Sequence, residues 1–503
     1  MQVSNKKILC LGNNSLATDQ SATKLAIANQ TINHGLVVDI NFLPIDPGYY
    51  HTSIYDLDFG DLLILAEKFD EIVVLDLPID TWSDDHALKK TIIIANKLES
   101  KKIVHWENKN LSNNPSKIFE KLLEKNKSFC ILPFIELLAQ NGSTTLCCNS
   151  SIPIKKINQI HDWANDPHYK KIRNKMLSGE LLPDHCAVCY NYEKLGTRSP
   201  RQQETLEWVN RLNILTIDDL YNITNPLYYE VRASNVCNLQ CRMCIPEASN
   251  LIETEYKKIG LYQNETTFEY TNFNFVNLDY LQRFYVAGGE PSAQVEFYNF
   301  LEKCIEKNKT DFEFTINTNA VKYSDKLLNL LKHFTNLNIN VSLEGYDKVN
   351  HYVRWPSEWT QITNNLQRLA DNGHFISFTT VISIYNITNL SELFKFFDNY
   401  YPKSKVGAQL AIYKGDILSP FIFPESDKVL NNLSLITQLK CYRNNEKISS
   451  LIDSLIKHYE NIDYIDREKL KNFFEFNDKL DHSRTIRLND YIPELEECRK
   501  YVL

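Results

Sequence analysis

From residue 227 the sequence falls into a rhythm that few folds satisfy. "LYYEVRASNVCN" reads as a strand running into a loop, and "SNLIETEYKKIG" follows as a helix. "LQRFYVAGGEP" with "AQVEFYNFLEKCIEKN", "DFEFTINTNA" with "SDKLLNLLKHF", "LNINVSLEG" with "WTQITNNLQRLADNG" and "HFISFTTVISIYN" with "NLSELFKFFDNYY" repeat the order. "KVGAQLAIYKG" adds a sixth strand. About six such units in series predict an α/β fold, a partial (β/α)6 TIM-like barrel over 227–425, with chemistry at the C-terminal ends of its strands. Every candidate motif in this segment falls at or just beyond such an end. Residues 426–503 read as a helical C-terminal region that packs against the barrel.

Residues 1–112 also alternate. "KKILCLG", "LVVDI", "EIVVLDLP" and "KKIVHW" read as strands, separated by "SATKLAIANQTINHG", "DFGDLLILAEKF" and "DDHALKKTIIIANKLES" as helices. This predicts a small Rossmann-like α/β domain with a parallel sheet. "LGNNS" is not the glycine fingerprint of dinucleotide sites, so a docking or scaffold role is expected. Residues 128–205 differ. They combine short strands in "CILPFIELLAQNGSTTLCC", turned at Gly142 as in a hairpin, with a helical stretch, "DPHYKKIRNKMLSGE", and a "CAVC" pair.

The cysteines carry the chemistry. Twelve in 503 residues do not suggest a disulfide framework, because no secretory signal precedes them and the cytosol keeps thiols reduced. A cytoplasmic protein is expected, with no membrane span and, at a net charge of −8, no nucleic-acid partner. Cys10, Cys304, Cys441 and Cys498 are isolated and read as small buried hydrophobes. Cys237, Cys241 and Cys244 form C-x3-C-x2-C in the loop after a strand. Three thiolates can hold three irons of a 4Fe–4S cube and leave the fourth iron open to substrate or cofactor. A zinc site would need a fourth ligand, and the nearest histidines in sequence, His185 and His333, are remote. Cys130, Cys147 or Cys148, Cys186 and Cys189 offer four more thiolates, for zinc or for a second 4Fe–4S cluster. Neighbouring side chains rarely both face one small cluster, so one of Cys147 and Cys148 is expected to be spare.

"CNLQCRMC" resembles the signature of the radical S-adenosylmethionine (SAM) superfamily. "GGEP" (Gly288, Gly289, Glu290) resembles the family motif that meets the SAM amino group. Asn319 in "TNA" and Ser342 and Glu344 in "SLEG" stand where the family places polar residues near SAM. Arg354 is a candidate partner for the SAM carboxylate, and Met243 occupies a slot near the adenine. The resemblance covers roughly 227–415 and implies reductive cleavage of SAM to a 5′-deoxyadenosyl radical that takes hydrogen from a substrate. It also implies an electron donor such as flavodoxin or ferredoxin. No protein acid or base is assigned. The second cysteine set resembles the SPASM/twitch modules that carry an auxiliary cluster, although here it precedes the barrel. Those relatives point to a peptide or protein substrate. A small molecule such as a sugar or nucleotide is the alternative, and a non-catalytic metal-stabilised binding protein is a third reading.

Overall fold

Six strands run parallel in chain order through the second half of the molecule. They are β8 (Tyr228–Arg232), β9 (Arg283–Val286), β10 (Glu313–Thr318), β11 (Leu337–Ser342), β12 (Phe375–Ile382) and β13 (Val406–Leu410). Each pairs in parallel with the next. The connecting helices are Asn250–Lys258, Val295–Glu306, Asp325–Leu331, Lys348–Val353 with Trp359–Asp371, and Leu390–Tyr400. This computed structural model describes residues 114–502 except 151, 195–197, 265–267, 412–415, 440–444 and 463, together with four strands before them.

Alternation along the strands makes a two-faced wall. In β10, Phe314, Ile316 and Thr318 are buried while Glu313, Thr315 and Asn317 are only partly covered. The apolar face joins Phe284, Val286, Ile339 and Val341 in the main core, under the helices. The opposite face is polar. Register aligns Tyr285, Thr315 and Asn338, and beside them Asn317, Asn340 and Ser377. These side chains bond to one another: Asn340 Nδ2 donates to Asn317 Oδ1 at 2.8 Å, and Thr379 Oγ1 donates to Asn340 Oδ1 at 3.0 Å. Because the helices cover the apolar face, the polar one lines the barrel interior.

The cysteine-rich segment departs from expectation. Its hairpin is present: β5 (Glu136–Gln140) pairs antiparallel with β6 (Ser143–Thr145) across Asn141 and Gly142, both at positive φ. However, β5 also pairs in parallel with β8. The barrel sheet therefore has a seventh parallel strand, supplied by the cysteine-rich segment. The cause lies in "FIELLA", an apolar run with little alternation, as strands covered on both faces show. The nine strands run β13-β12-β11-β10-β9-β8-β5-β6-β7, where β7 is Lys155–Lys156. Behind β5, Phe129, Phe134, Met176 and Trp208 form a second core that also takes in Cys130 and Cys186.

The C-terminal region is helical as expected, with Ser426–Ile436, Glu446–Asn461 and Arg467–Arg484 as its main helices. Asn445 Nδ2 bonds the Val406 carbonyl of β13 at 2.6 Å. Cys304 and Cys498 are fully buried, whereas Cys441 lies outside the described residues.

The chain divides into two compact units, 1–117 and 118–503. In the first, β1 (Ile8–Leu11), β2 (Gly35–Val38), β3 (Glu71–Leu75) and β4 (Lys102–Trp106) form a parallel sheet of order β2-β1-β3-β4. All four expected strands are present. The expected helices between them lie outside the described residues. Among the described residues no helix is long and apolar enough to cross a membrane.

Candidate functional site

The loop after β8 carries Cys237, Cys241 and Cys244. Three neighbours hold it. The turn after β9 packs against its start: Gly288 and Gly289 have φ of +82° and +54°. A Cβ on Gly289 would lie 2.1 Å from the Val236 carbonyl oxygen, and one on Gly288 would lie 2.8 Å from Arg232 Cβ. The glycine pair is thus demanded by close approach to the cysteine loop as well as by the turn. Asn250, which opens the following helix, accepts from the Cys237 amide at 3.1 Å. Third, Arg242, fully buried between two of the cysteines, reaches into the C-terminal helix Arg467–Arg484. It donates to Asn477 Oδ1 at 2.8 Å, to Asp481 Oδ1 and to the Tyr352 carbonyl at 2.9 Å, and its guanidinium lies 3.6 Å from the Tyr352 ring centroid. The sequence pattern does not reveal this anchor, because the partners lie far down the chain.

The three thiols lie on one loop and influence one another electrostatically. Burial pushes the Cys237 thiol up to about 12, with the Cys241, Glu290 and Cys244 groups adding to it. All three cysteines keep some accessible surface. Arg354 Nη1 stands 3.8 Å from Cys241 Sγ.

The other expected residues surround this loop but are held by protein partners. Glu290 Oε1 accepts from Ser292 Oγ at 2.8 Å and Thr318 Oγ1 at 2.7 Å, and its Oε2 accepts from the Asn319 amide at 2.8 Å. Burial raises its pKa and these bonds oppose the rise. Glu290 therefore ties the β9 turn to the β10 loop. Asn319 Nδ2 donates to Asn238 Oδ1 in the cysteine loop at 2.8 Å. Gly288 O accepts from Gln294 Nε2 at 2.6 Å. Ser342 is buried at the end of β11, and Met243 is half-buried against the core. The fork of Arg354 does not stand open for a carboxylate of SAM. It grips Glu344, itself without exposed surface.

The second cysteine set is spread over three elements. Cys130 precedes β5, Cys147 follows β6, and Cys186 and Cys189 lie one turn apart on the helix Pro183–Lys194. Burial raises the Cys130 thiol most, and Cys147, Cys186 and Cys189 each raise it further. Burial likewise takes Cys186 to about 11. Cys148 has a different set of influences. After burial, Glu230 is the strongest influence raising it, and Arg232, which opposes the rise, is another neighbour. Cys148 has open surface, and its charge also raises the Tyr285 hydroxyl. Of the adjacent pair, Cys147 is the one whose charge raises the Cys130 thiol. Among the described residues no three or more His, Cys, Asp or Glu side chains stand close enough to hold a single metal ion.

Residues 231–397 match the family described as the Radical SAM superfamily. The match covers a third of the chain. No curated protein sequence matches the chain. Solved structures with a similar arrangement include native anSMEcpe with bound AdoMet, at 14% identity and a TM-score of 0.32, over 42% of this chain and 60% of that one. Streptococcus suis SuiB bound to precursor peptide SuiA is similar at 14% identity and a TM-score of 0.29, over 58% of this chain and 60% of that one. TYW1 with a lysine-pyruvate adduct bound is similar at 14% identity and a TM-score of 0.24, over 42% of this chain and 71% of that one. The chain thus spans 60% of the length of anSMEcpe and of SuiB. The matched segment holds the triad, the glycine turn and every strand from β9 to β12.

Proposed function

We propose that this chain is a radical SAM enzyme that modifies a peptide or protein. What supports the chemistry is the placement of Cys237, Cys241 and Cys244 on one loop after β8, packed against the Gly288–Gly289 turn. Three thiolates from one loop suit a 4Fe–4S cube with one iron open. When bound, cluster and SAM together supply one-electron cleavage of the sulfonium bond and a 5′-deoxyadenosyl radical, which takes a hydrogen atom from an unactivated C–H bond.

The protein's part is to hold and to exclude. The three cysteines hold the cluster. The backbone of Gly288 and Gly289, with Asn319 and Ser342, offers polar contacts to SAM, and Met243 packs beside its adenine. Glu290 and Glu344 act by fixing loops and side chains. The polar barrel interior faces the substrate. Flavodoxin or ferredoxin is the proposed electron donor, and the cytoplasm the proposed location.

Cys130, Cys147, Cys186 and Cys189 are proposed to hold a second 4Fe–4S cluster. A cube of four irons reaches thiols set wider than the zinc tetrahedron, whose Zn–S bonds are about 2.3 Å. The resemblance of this segment to auxiliary-cluster modules supports the peptide or protein substrate.

The test is spectroscopic. Adding SAM to the anaerobically reduced protein should change the electron paramagnetic resonance signal of one cluster, and SAM labelled with 15N at its amino group should show coupling to it. An unchanged signal with no coupling would remove the proposed SAM site.

A further inference from the structure

Residues 353–355 run beside the cysteine loop in a defined register. The Arg242 amide donates to the Val353 carbonyl at 2.8 Å, and the Gln240 amide donates to the Trp355 carbonyl at 2.6 Å. These bonds bracket Cys241 on one segment and Arg354 on the other, so the two residues stand opposite each other. Arg354 Nη1 points at Cys241 Sγ, 3.8 Å away. The same guanidinium is fixed from behind: Nη2 donates to Glu344 Oε1 at 3.1 Å and Nε donates to Glu344 Oε2. Glu344 is rigid in turn. Its amide donates to Asn350 Oδ1 at 3.1 Å and its carbonyl accepts from Asn386 Nδ2 at 2.8 Å. Only a guanidinium has a two-pronged fork for a carboxylate and another N–H left for a third partner.

We propose that Arg354, held by Glu344, is a positioning residue that donates a charge-assisted hydrogen bond to the Cys241 thiolate and so raises the reduction potential of the SAM-binding cluster. This rests on the radical SAM reading above. One-electron reduction adds negative charge to the cluster and its thiolates. A hydrogen bond to a ligand sulfur stabilises that charge more in the reduced form, so the electron from the donor protein is accepted at a less negative potential. Glu344 keeps the guanidinium from being a lone buried cation, whose desolvation would be costly. It also orients the remaining N–H toward sulfur. A SAM carboxylate would have to displace Glu344 to reach the fork.

The experiment is a redox titration of the full chain, reconstituted anaerobically, without SAM and monitored by electron paramagnetic resonance. Arg354→Lys keeps the positive charge but cannot both clasp Glu344 and reach the sulfur. The double variant Arg354→Gln with Glu344→Gln removes the fork and leaves no buried charge, which guards against misfolding of the single change. Both should move the midpoint of this cluster to a more negative potential. The expected size is about tenfold in the reduction equilibrium, or about 59 mV for one electron. Equal midpoints in wild type and both variants, with SAM binding weakened instead, would overturn the proposal and assign Arg354 to SAM. A wild-type protein with no reducible cluster would overturn this proposal and the reading beneath it together.

Discussion

A methyl group on Gly289 has nowhere to go, since its carbon would meet the Val236 carbonyl at 2.1 Å in a backbone already at φ +54°. Gly289→Ala is expected to push the β9 turn off the cysteine loop, at a cost of roughly 1–3 kcal/mol for overpacking. Denaturant unfolding and iron retention after reconstitution would check it. Glu136 presents the opposite problem, a buried carboxyl with one oxygen left without a hydrogen bond. It is buried in β5 and its Oε2 has no hydrogen-bond partner among the described residues. Burial first, then the neighbouring Glu230, hold its pKa well above the usual carboxylate range. The native state therefore keeps a proton that the unfolded chain releases near pH 4.3. Stability from this group is fully present below that pH and is lost as pH rises toward the native value. Glu136→Gln should raise the melting temperature at pH 8 and give a smaller gain at pH 5; an equal gain at both would contradict the account. At this scale the thiols were legible because their ligand spacing is local. The Arg354–Glu344 clasp was not, because a residue's partner is set by tertiary register and not by its own neighbours.

Among the elements, the cysteine loop depends on the distant helix Arg467–Arg484. Asp481 accepts from Arg242, from the Tyr352 hydroxyl at 3.0 Å and from the Leu488 amide at 2.8 Å. Asp481→Ala leaves the fully buried Arg242 without its carboxylate, and breaking such a pair costs about 3–5 kcal/mol. The variant should unfold at lower denaturant and retain less iron, while a variant equal to wild type in both would mean that the helix does not brace the loop. The barrel strands were readable because each alternates or runs apolar between turn signals. The parallel place of β5 was not, since a short apolar run fits a hairpin module and a barrel strand equally well. Its partner β8 is separated from it by the whole cysteine-rich segment.

For the whole molecule, the unit 118–503 contains both cysteine sets and one continuous sheet whose strands β5, β6 and β8 stand next to them in the chain. The proposed pair of cubes predicts about eight irons per chain. Cys147→Ser should lose about half of them and Cys148→Ser close to none. Four irons with one zinc in the wild type would instead favour the zinc reading of the second set. The order of regions was legible from shifts in periodicity and cysteine density. How they merge was not, because strand pairing across a boundary leaves no local signal. The central claim is that the triad loop supports SAM cleavage, and the most direct measurement is 5′-deoxyadenosine formed from SAM by the anaerobically reduced protein. Wild type should produce it and Cys241→Ala should produce none. Equal formation by both proteins, or none by a wild type carrying its full iron, would contradict the account.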